Sequence, residues 1–414
     1  MASIKKQKND YKFTVCVGRD SNGKQILRYM NYKPTAKTST AIEREVKRAA
    51  ALFEEQVRNG QYISGDRIKF SEYVEIWNEE WSRTHLTQRT RSDYLMNIKT
   101  HAFPLIGNMP MNKIKPSTIQ SLITKLNQDH APATVHKIIV SIDSVFRYAF
   151  KMEVIAENPI RRCELPKMNH DDKLHFFTAE QSKEFLSAIQ KPYIDTYKRR
   201  NGTVYTEERT MPLQFQCYFH LALYSGCRRG ELLALTWNDI DYERRKIVIT
   251  KATEKLRTGE QLLKAPKTKA GKRELKLPNI CFTFLKRWYQ AEKELCFKLG
   301  TDWKGAEMND FDNNFVFIQM TTGEQMHTDS PYQTMHRFIE RYNRERPDKE
   351  KLPFLRLHDL RHTSATLLLS ENMDIEEVSR RLGHAKPSTT LDIYGHAMPR
   401  KDDEAADILS RLLG

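Results

Sequence analysis

The sequence predicts a multidomain α+β protein: a small three-stranded sheet plus helix, an all-helical domain, then a mostly helical domain with a small antiparallel sheet. Three observations predict it. At 414 residues the chain is too long for one small core. The apolar period changes from two to about 3.6 after the first strands, and the pattern then stays helical to about residue 165. Beyond that point, helical stretches flank a strand-like, lysine-rich middle. The polar stretches QYISGDRI and KMNHDDKLHFFT read as linkers, which gives parts at 1–66, 67–168 and 174–414.

In the first part, YKFTVCVG alternates polar and apolar residues, and QILRYMNYK reads as the returning strand. RDSNGK lies between them, with Asn22-Gly23 as the hairpin signal. From Ser39 to about Val57, Ile42, Val46, Ala49, Ala50, Leu52 and Phe53 recur at helical spacing. Thr38 and Ser39 are candidate caps, and Asn59-Gly60 stops the helix. Residues 1–66 carry 13 basic and 7 acidic side chains, a net of +6. Basic strands of this kind suit a DNA groove; a dimerisation or folding module fits the same residues.

The second part is helical throughout. FSEYVEIWNEEW places Phe70, Tyr73, Val74, Trp77 and Trp81 on one stripe, which reads as core and not as a base-stacking platform. RTRSDYLMNIKTHAFPLIG reads as a helix broken at Pro104 and Gly107. Pro116 opens a helix where proline is tolerated, and VHKIIVSIDSVFRYAFKMEVI is a long buried helix ending before Asn158-Pro159. Lys99, Lys137 and Arg147 are candidates for phosphate contacts.

In the third part, Thr178 with Gln181 forms a capping-box start. The stretch MPLQFQCYFHLALYSG is helical. KIVITKATEK through KRELKLP reads as strands with a basic hairpin whose tip holds Ala270-Gly271.

Composition narrows the class. There are 68 Lys and Arg against 53 Asp and Glu, a net charge of +15, which favours a polyanionic partner. The six cysteines are scattered with no C-x-x-C pair, as expected of reduced, intracellular thiols. MASIKKQKND has no apolar signal region, and no apolar run reaches about 18 residues, so a cytoplasmic location with no membrane contact is expected.

Chemistry concentrates in a few motifs. Arg228, in YSGCRRGELLAL, sits at a glycine-assisted break between helices; a guanidinium grips phosphate oxygens in a forked geometry and stays charged. Lys267, in APKTKAGKREL, can reach into a groove and protonate a leaving oxygen. Lys264, Lys269, Lys272 and Arg273 fit a plain basic hairpin on backbone phosphates equally well. In LHDLRHTSATLLL, His358 and Arg361 are three apart and share a helix face. His358 suits general base work near neutral pH, and Arg361 supplies a second clamp. HDLRH also lies one residue from the H-E-x-x-H zinc pattern, with Asp359 in the glutamate position and no obvious third ligand. Finally, His384 follows the helix-ending Gly383, and Tyr394 lies on a short helix opened by Pro387 that can present it into a cleft; taken alone, it reads as a core tyrosine with a satisfied hydroxyl. Together these groups suit metal-free attack of a phenol oxygen on a phosphodiester.

In this order the residues resemble the tyrosine recombinase family, the phage-type integrases. SGCRRGE is similar to the family's T-G-x-R-x-x-E, with Ser225 for Thr and Cys227 for a usual aliphatic. Lys267 resembles the family's hairpin lysine, His358 and Arg361 its H-x-x-R, His384 its L-G-H position, and Tyr394 its nucleophile. The resemblance is strong over about 178–400. The helical middle resembles the core-binding domain, and the first 66 residues resemble the arm-binding module of integrases from temperate phages and conjugative transposons.

The resemblance implies a site-specific recombinase that works through a 3′-phosphotyrosine, with Arg228, Lys267, His358, Arg361, His384 and Tyr394 as its catalytic residues. It implies no metal and no ATP or other cofactor. The implied partners are double-stranded DNA at core and arm sites, a homo-tetramer on DNA, and accessory excision or bending proteins. The tail DDEAADILSRLLG is expected to dock on a neighbouring protomer as a short amphipathic helix. Two other functions fit the same residues: topoisomerase-like relaxation, and a non-catalytic DNA-binding regulator.

Overall fold

In this computed structural model the described residues are 2–7, 10–19, 25–36, 38–58, 68–168, 174–198, 203–266, 269–344, 346–395, 407 and 410–413. The chain forms two compact units, residues 1–171 and 172–414. Helices dominate both, with small antiparallel sheets. Among the described residues no helix is long and apolar enough to cross a membrane.

The first unit opens with β1 (Ser3–Lys6), β2 (Tyr11–Arg19) and β3 (Gln25–Tyr32), paired antiparallel in that order. The turn at 20–24 lies outside the described residues. Helix α1 (Ser39–Arg58) lays Val46, Ala50, Phe53 and Val57 on Phe13 and Val15 of β2. Spacings of three and four put those four side chains on one helix face. Glu45 ties helix to sheet: it accepts from the Tyr32 hydroxyl at 2.7 Å and from the backbone N–H groups of Thr35 and Ala36.

A second, separate core in this unit is helical. It gathers α2 (Phe70–Trp77), α3 (Gln88–Asn97), α4 (Pro116–Asp129) and α5 (Pro132–Lys151). Phe70, Tyr73, Val74 and Trp77 are buried, and Phe70 stacks on Phe146 at 5.3 Å. Pro104 does not break its helix. The chain widens into a π turn over Ile98–Ala102, where the Phe103 N–H bonds the Ile98 carbonyl, and helix resumes over Phe103–Ile106. Proline lacks the N–H that a regular α turn would need there. Gly107 then ends it. The long helix α5 stops at Lys151, earlier than the sequence pattern indicates.

In the second unit, α6 (Ala179–Ala188) begins at the expected capping box: Thr178 Oγ1 accepts from Gln181 N, and Gln181 Oε1 from Thr178 N. The end of the second stretch read as a linker is packed: Phe177 is buried and its N–H donates to Thr363 Oγ1 at 3.0 Å. A hairpin, β4 (Tyr193–Lys198) with β5 (Val204–Arg209), stands where the sequence reads as helical. Then come α7 (Leu213–Ser225), the one-turn α8 (Arg229–Leu233), and strands β6 (Ile240–Asp241), β7 (Lys246–Ile249), β8 (Ala252–Lys255), β9 (Gln261–Lys264) and β10 (Arg273–Lys276). Strands β10, β7 and β6 form one sheet, and β8 pairs β9 in another. Lys269–Gly271 is therefore a 3-10 turn joining two sheets, not the tip of a hairpin. Helices α9 (Asn279–Leu299) and α10 (Ser330–Asn343) complete the main core. Across α7 lies α11 (Leu357–Ser370), followed by α12 (Ile375–Leu382) and α13 (Pro387–Tyr394).

Candidate active site

The site is assembled from helix ends. Helix α7 closes at Gly226, whose φ of +64° is the left-handed conformation that glycine adopts without penalty. That turn throws Arg228 outward as the cap of α8, with its side chain 43% exposed. Arg228 donates from its backbone N and from Nη1 to the two oxygens of Glu231, each at 2.9 Å. Glu231 is buried, and its outer oxygen also accepts from Arg273 Nη2 at 2.8 Å. Burial pushes the Glu231 carboxyl up, but the two arginines more than offset it and hold the group below its usual range. Arg229 turns away, to Asp329.

Helix α11 carries the next three groups. Leu360, Ala365 and Leu369 anchor it by burial, each leucine contributing roughly 1.5–3 kcal/mol. Asp359 is spent on the helix start: it accepts from Arg356 N at 2.7 Å and from the Arg356 guanidinium. This occupation leaves it unsuited to the glutamate role of a zinc motif. Among the described residues no group of three His, Cys, Asp or Glu is placed to hold a metal ion.

Arg361 is 2% exposed and donates from Nη1 to the Gly226 carbonyl at 2.9 Å. Its Nη2 is buried with no partner among the described residues. Burial and the nearby Arg228 lower its pKa to about 10, so it stays charged. His358 is exposed, yet the desolvating protein around it, then His362, Arg361 and Arg228, push its pKa down to about 4.

Gly383, at φ +71°, ends α12 and sets His384. The His384 Nδ1 shares a 2.7 Å hydrogen bond with Thr390 Oγ1, which fixes the ring. Burial, then Arg361 and Arg228, push its pKa down to about 4 as well. Tyr394 is 1% exposed at the end of α13, and its hydroxyl lies 2.7 Å from His362 Nδ1. Burial raises its pKa, while Arg361 beside the phenol oxygen and then Arg228 pull it back.

Arg228, His358, Arg361, His384 and Tyr394 thus converge from four chain segments. Lys267 lies outside the described residues. Arg273, read as a phosphate contact, points inward instead: its side chain is 6% exposed and bonded to Glu231, the Arg381 carbonyl and the Gly271 carbonyl. Sequence reasoning weighs His362 only as the second histidine of the zinc pattern, and passes over Thr390. Their only other signal is position, next to Arg361 and four before Tyr394.

Residues 176–401 match the phage integrase family, and residues 69–127 match the phage integrase N-terminal SAM-like domain. The chain is 27% identical to the ICEBs1 integrase of Bacillus subtilis, over 99% of this chain and 100% of that one. It is 25% identical to a XerC-like tyrosine recombinase of Caldanaerobacter subterraneus, over 99% and 98%. Among solved structures, the Tn1549 transposon integrase in complex with transposon right end DNA superposes with a TM-score of 0.65 at 21% identity, covering 84% of this chain and all of that one. The chain belongs to the phage integrase family and is a tyrosine recombinase, an enzyme of site-specific DNA cleavage and rejoining.

Proposed function

We propose that the chain is the integrase of a mobile element and that Tyr394 is its nucleophile. One observation carries the reading: the Tyr394 phenol oxygen sits beside the buried Arg361 guanidinium, whose Nη2 meets no carboxylate or carbonyl among the described residues, within the field of Arg228. A buried, unsatisfied cationic donor is costly. A phosphate oxygen satisfies it, and the same phosphate then faces the phenol.

In this reading the Tyr394 oxygen attacks phosphorus, the bond to the 5′ oxygen breaks, and a 3′-phosphotyrosine forms. Arg228 and Arg361 stabilise charge on the non-bridging oxygens. His384 hydrogen-bonds the phosphate through the ring nitrogen not engaged by Thr390, and His358 assists proton transfer. Lys267, in the role that the resemblance assigns it, protonates the 5′ oxygen. The covalent link conserves the energy of the broken bond, so neither ATP nor a metal is required.

The related proteins support DNA as the partner and assembly into a multimer; their solved structures include a lambda integrase tetramer bound to a Holliday junction. We assign residues 1–66 to arm sites, 67–168 and the catalytic part 174–414 to core sites, and strand exchange to four protomers. Deleting 401–414 is expected to weaken tetramer assembly more than DNA binding.

The test is a nicked suicide duplex from the flanks of the encoding element. Wild type should form a covalent adduct and Tyr394→Phe should not. Adduct with Tyr394→Phe would displace the nucleophile, and tight binding with no adduct would favour a regulator. Relaxation without exchange between two duplexes would favour the topoisomerase reading.

A further inference from the structure

Arg361 and His362 are adjacent on α11 and therefore diverge by about 100° around the helix axis. Arg361 reaches the Gly226 carbonyl. His362, 6% exposed, faces α13, with its Nδ1 2.7 Å from the Tyr394 phenol oxygen. A ring nitrogen and a hydroxyl at that distance share one proton, and two arrangements are chemically available. The surroundings choose between them. A guanidinium only donates, and its charge repels a positive hydrogen. With Arg361 beside the phenol oxygen, the O–H hydrogen is turned toward His362.

The ring must be neutral to accept. The charged and titratable groups around it are Asp359, Arg356, Arg361 and His358 on its own helix and Tyr394 from α13. Burial, followed by the two arginines against the opposing Asp359, lowers its pKa. Neutral imidazole with the proton on Nε2 leaves the Nδ1 lone pair directed at the phenol.

We propose that His362 is the proton acceptor for Tyr394 during strand cleavage, a catalytic residue in contact with the reacting oxygen. The proposal rests on Tyr394 being the nucleophile. The phenol proton passes to Nδ1 as the oxygen lone pair forms the bond to phosphorus. The bond from phosphorus to the 5′ oxygen breaks, and that oxygen takes its proton from Lys267, the acid of the proposed reaction. In rejoining, the 5′-hydroxyl attacks, returns its proton to the lysine, and the departing phenol oxygen recovers its proton from the imidazolium. His358, which feels the two arginines, then assists proton transfer on the phosphate side of the site and not at the phenol.

The experiment uses the full chain and two duplexes, one natural and one with sulfur in place of the bridging 5′ oxygen. Sulfur leaves without protonation, so that substrate removes the need for an acid and retains the need for a base. His362→Asn is the variant of choice, since its side-chain oxygen can accept the phenol hydrogen bond without taking the proton.

We expect His362→Asn to bind DNA within about twofold of wild type and to cleave both duplexes roughly 100-fold more slowly, the usual size of a lost general base. Wild-type cleavage of the sulfur substrate should level off with rising pH. The variant should keep climbing up to and beyond the ordinary phenol pKa of about 10, because burial raises that of Tyr394.

Cleavage within threefold of wild type, or slowing confined to the natural duplex, would overturn the proposal. So would a wild-type rate that rises without a plateau, a result that needs no variant. Tyr394→Phe run beside it separates the two levels: adduct there removes the nucleophile, whereas an inert Tyr394→Phe with a normal His362→Asn removes only this inference.

Discussion

Arg273 and Glu231 form an ion pair sealed from solvent: Nη2 donates to Oε2 at 2.8 Å, with the side chains 6% and 4% exposed. The other Glu231 oxygen holds Arg228. A residue on a strand thereby sets the aim of an arginine on a helix cap 45 positions earlier.

Removing Glu231 strands the buried Arg273, and removing Arg273 leaves the buried Glu231 only the half-exposed Arg228 as counter-charge. Arg273→Ala is expected to cost about 3–5 kcal/mol of stability in the second unit, read from the denaturant midpoint at constant slope. A loss under about 1 kcal/mol would mean that water reaches Glu231. Because the folded pKa of Glu231 is depressed, its contribution is present above its unfolded pKa and fades as pH falls through the folded value.

Gly226 carries two duties, a left-handed backbone and the carbonyl that anchors Arg361. An added Cβ would stand 2.9 Å from Leu382 Cδ2 and 3.2 Å from Ser364 Oγ. Gly226→Ala should lose roughly 1–2 kcal/mol from backbone strain alone. It should also slow covalent adduct formation more than it weakens DNA affinity. Equal losses in both assays would show that the Arg361 anchor does not matter to chemistry.

His358 and His384 each sit near pKa 4 beside the Arg361 and Arg228 guanidiniums. A phosphate placed among them favours their charged forms. Binding at pH 5–6 should therefore take up protons and tighten as pH falls. Calorimetry in two buffers of different ionisation heat measures this, and identical apparent enthalpies would refute it. Without DNA the sign reverses for stability: the unfolded chain binds more protons between about pH 4 and 6.5, so the fold weakens as pH drops through that window.

The net charge of +15 is to be spent on phosphates. DNA affinity should fall steeply and linearly with salt on logarithmic axes, by roughly 0.9 per phosphate neutralised. A flat response would contradict an extended DNA contact.

Much of the fold is legible in the residues themselves, and most of the candidate site becomes so through the order of its motifs and the family resemblance. Periodicity locates α1, α4 and α7, and the Thr178–Gln181 box marks the start of α6. What escapes has physical reasons. Proline usually ends a helix, but at Pro104 a π turn absorbs it. The β4–β5 hairpin is signalled only by Asn201-Gly202 between β-formers, and the capped helix before it and the apolar helix after it dominate the local pattern. Arg273 sorts with surface lysines because a charge pattern says nothing about which way a strand faces. The role of His362 beside Tyr394 is hidden because only the fold brings position 362 against position 394.

Tyr394 and Arg361 are among the most deeply covered large side chains in the molecule, while Arg228 and His358 reach solvent. In the proposed reaction a duplex would touch the outer cation and imidazole before it could meet the phenol. Any step that uncovers the inner pair enters the observed cleavage rate: were one molecule in a hundred open, turnover would drop a hundredfold, about 2.7 kcal/mol. With Tyr394 as the proposed nucleophile, this cover would keep the enzyme from nicking DNA it has not fully engaged, and fidelity would begin with concealment of the phenol oxygen.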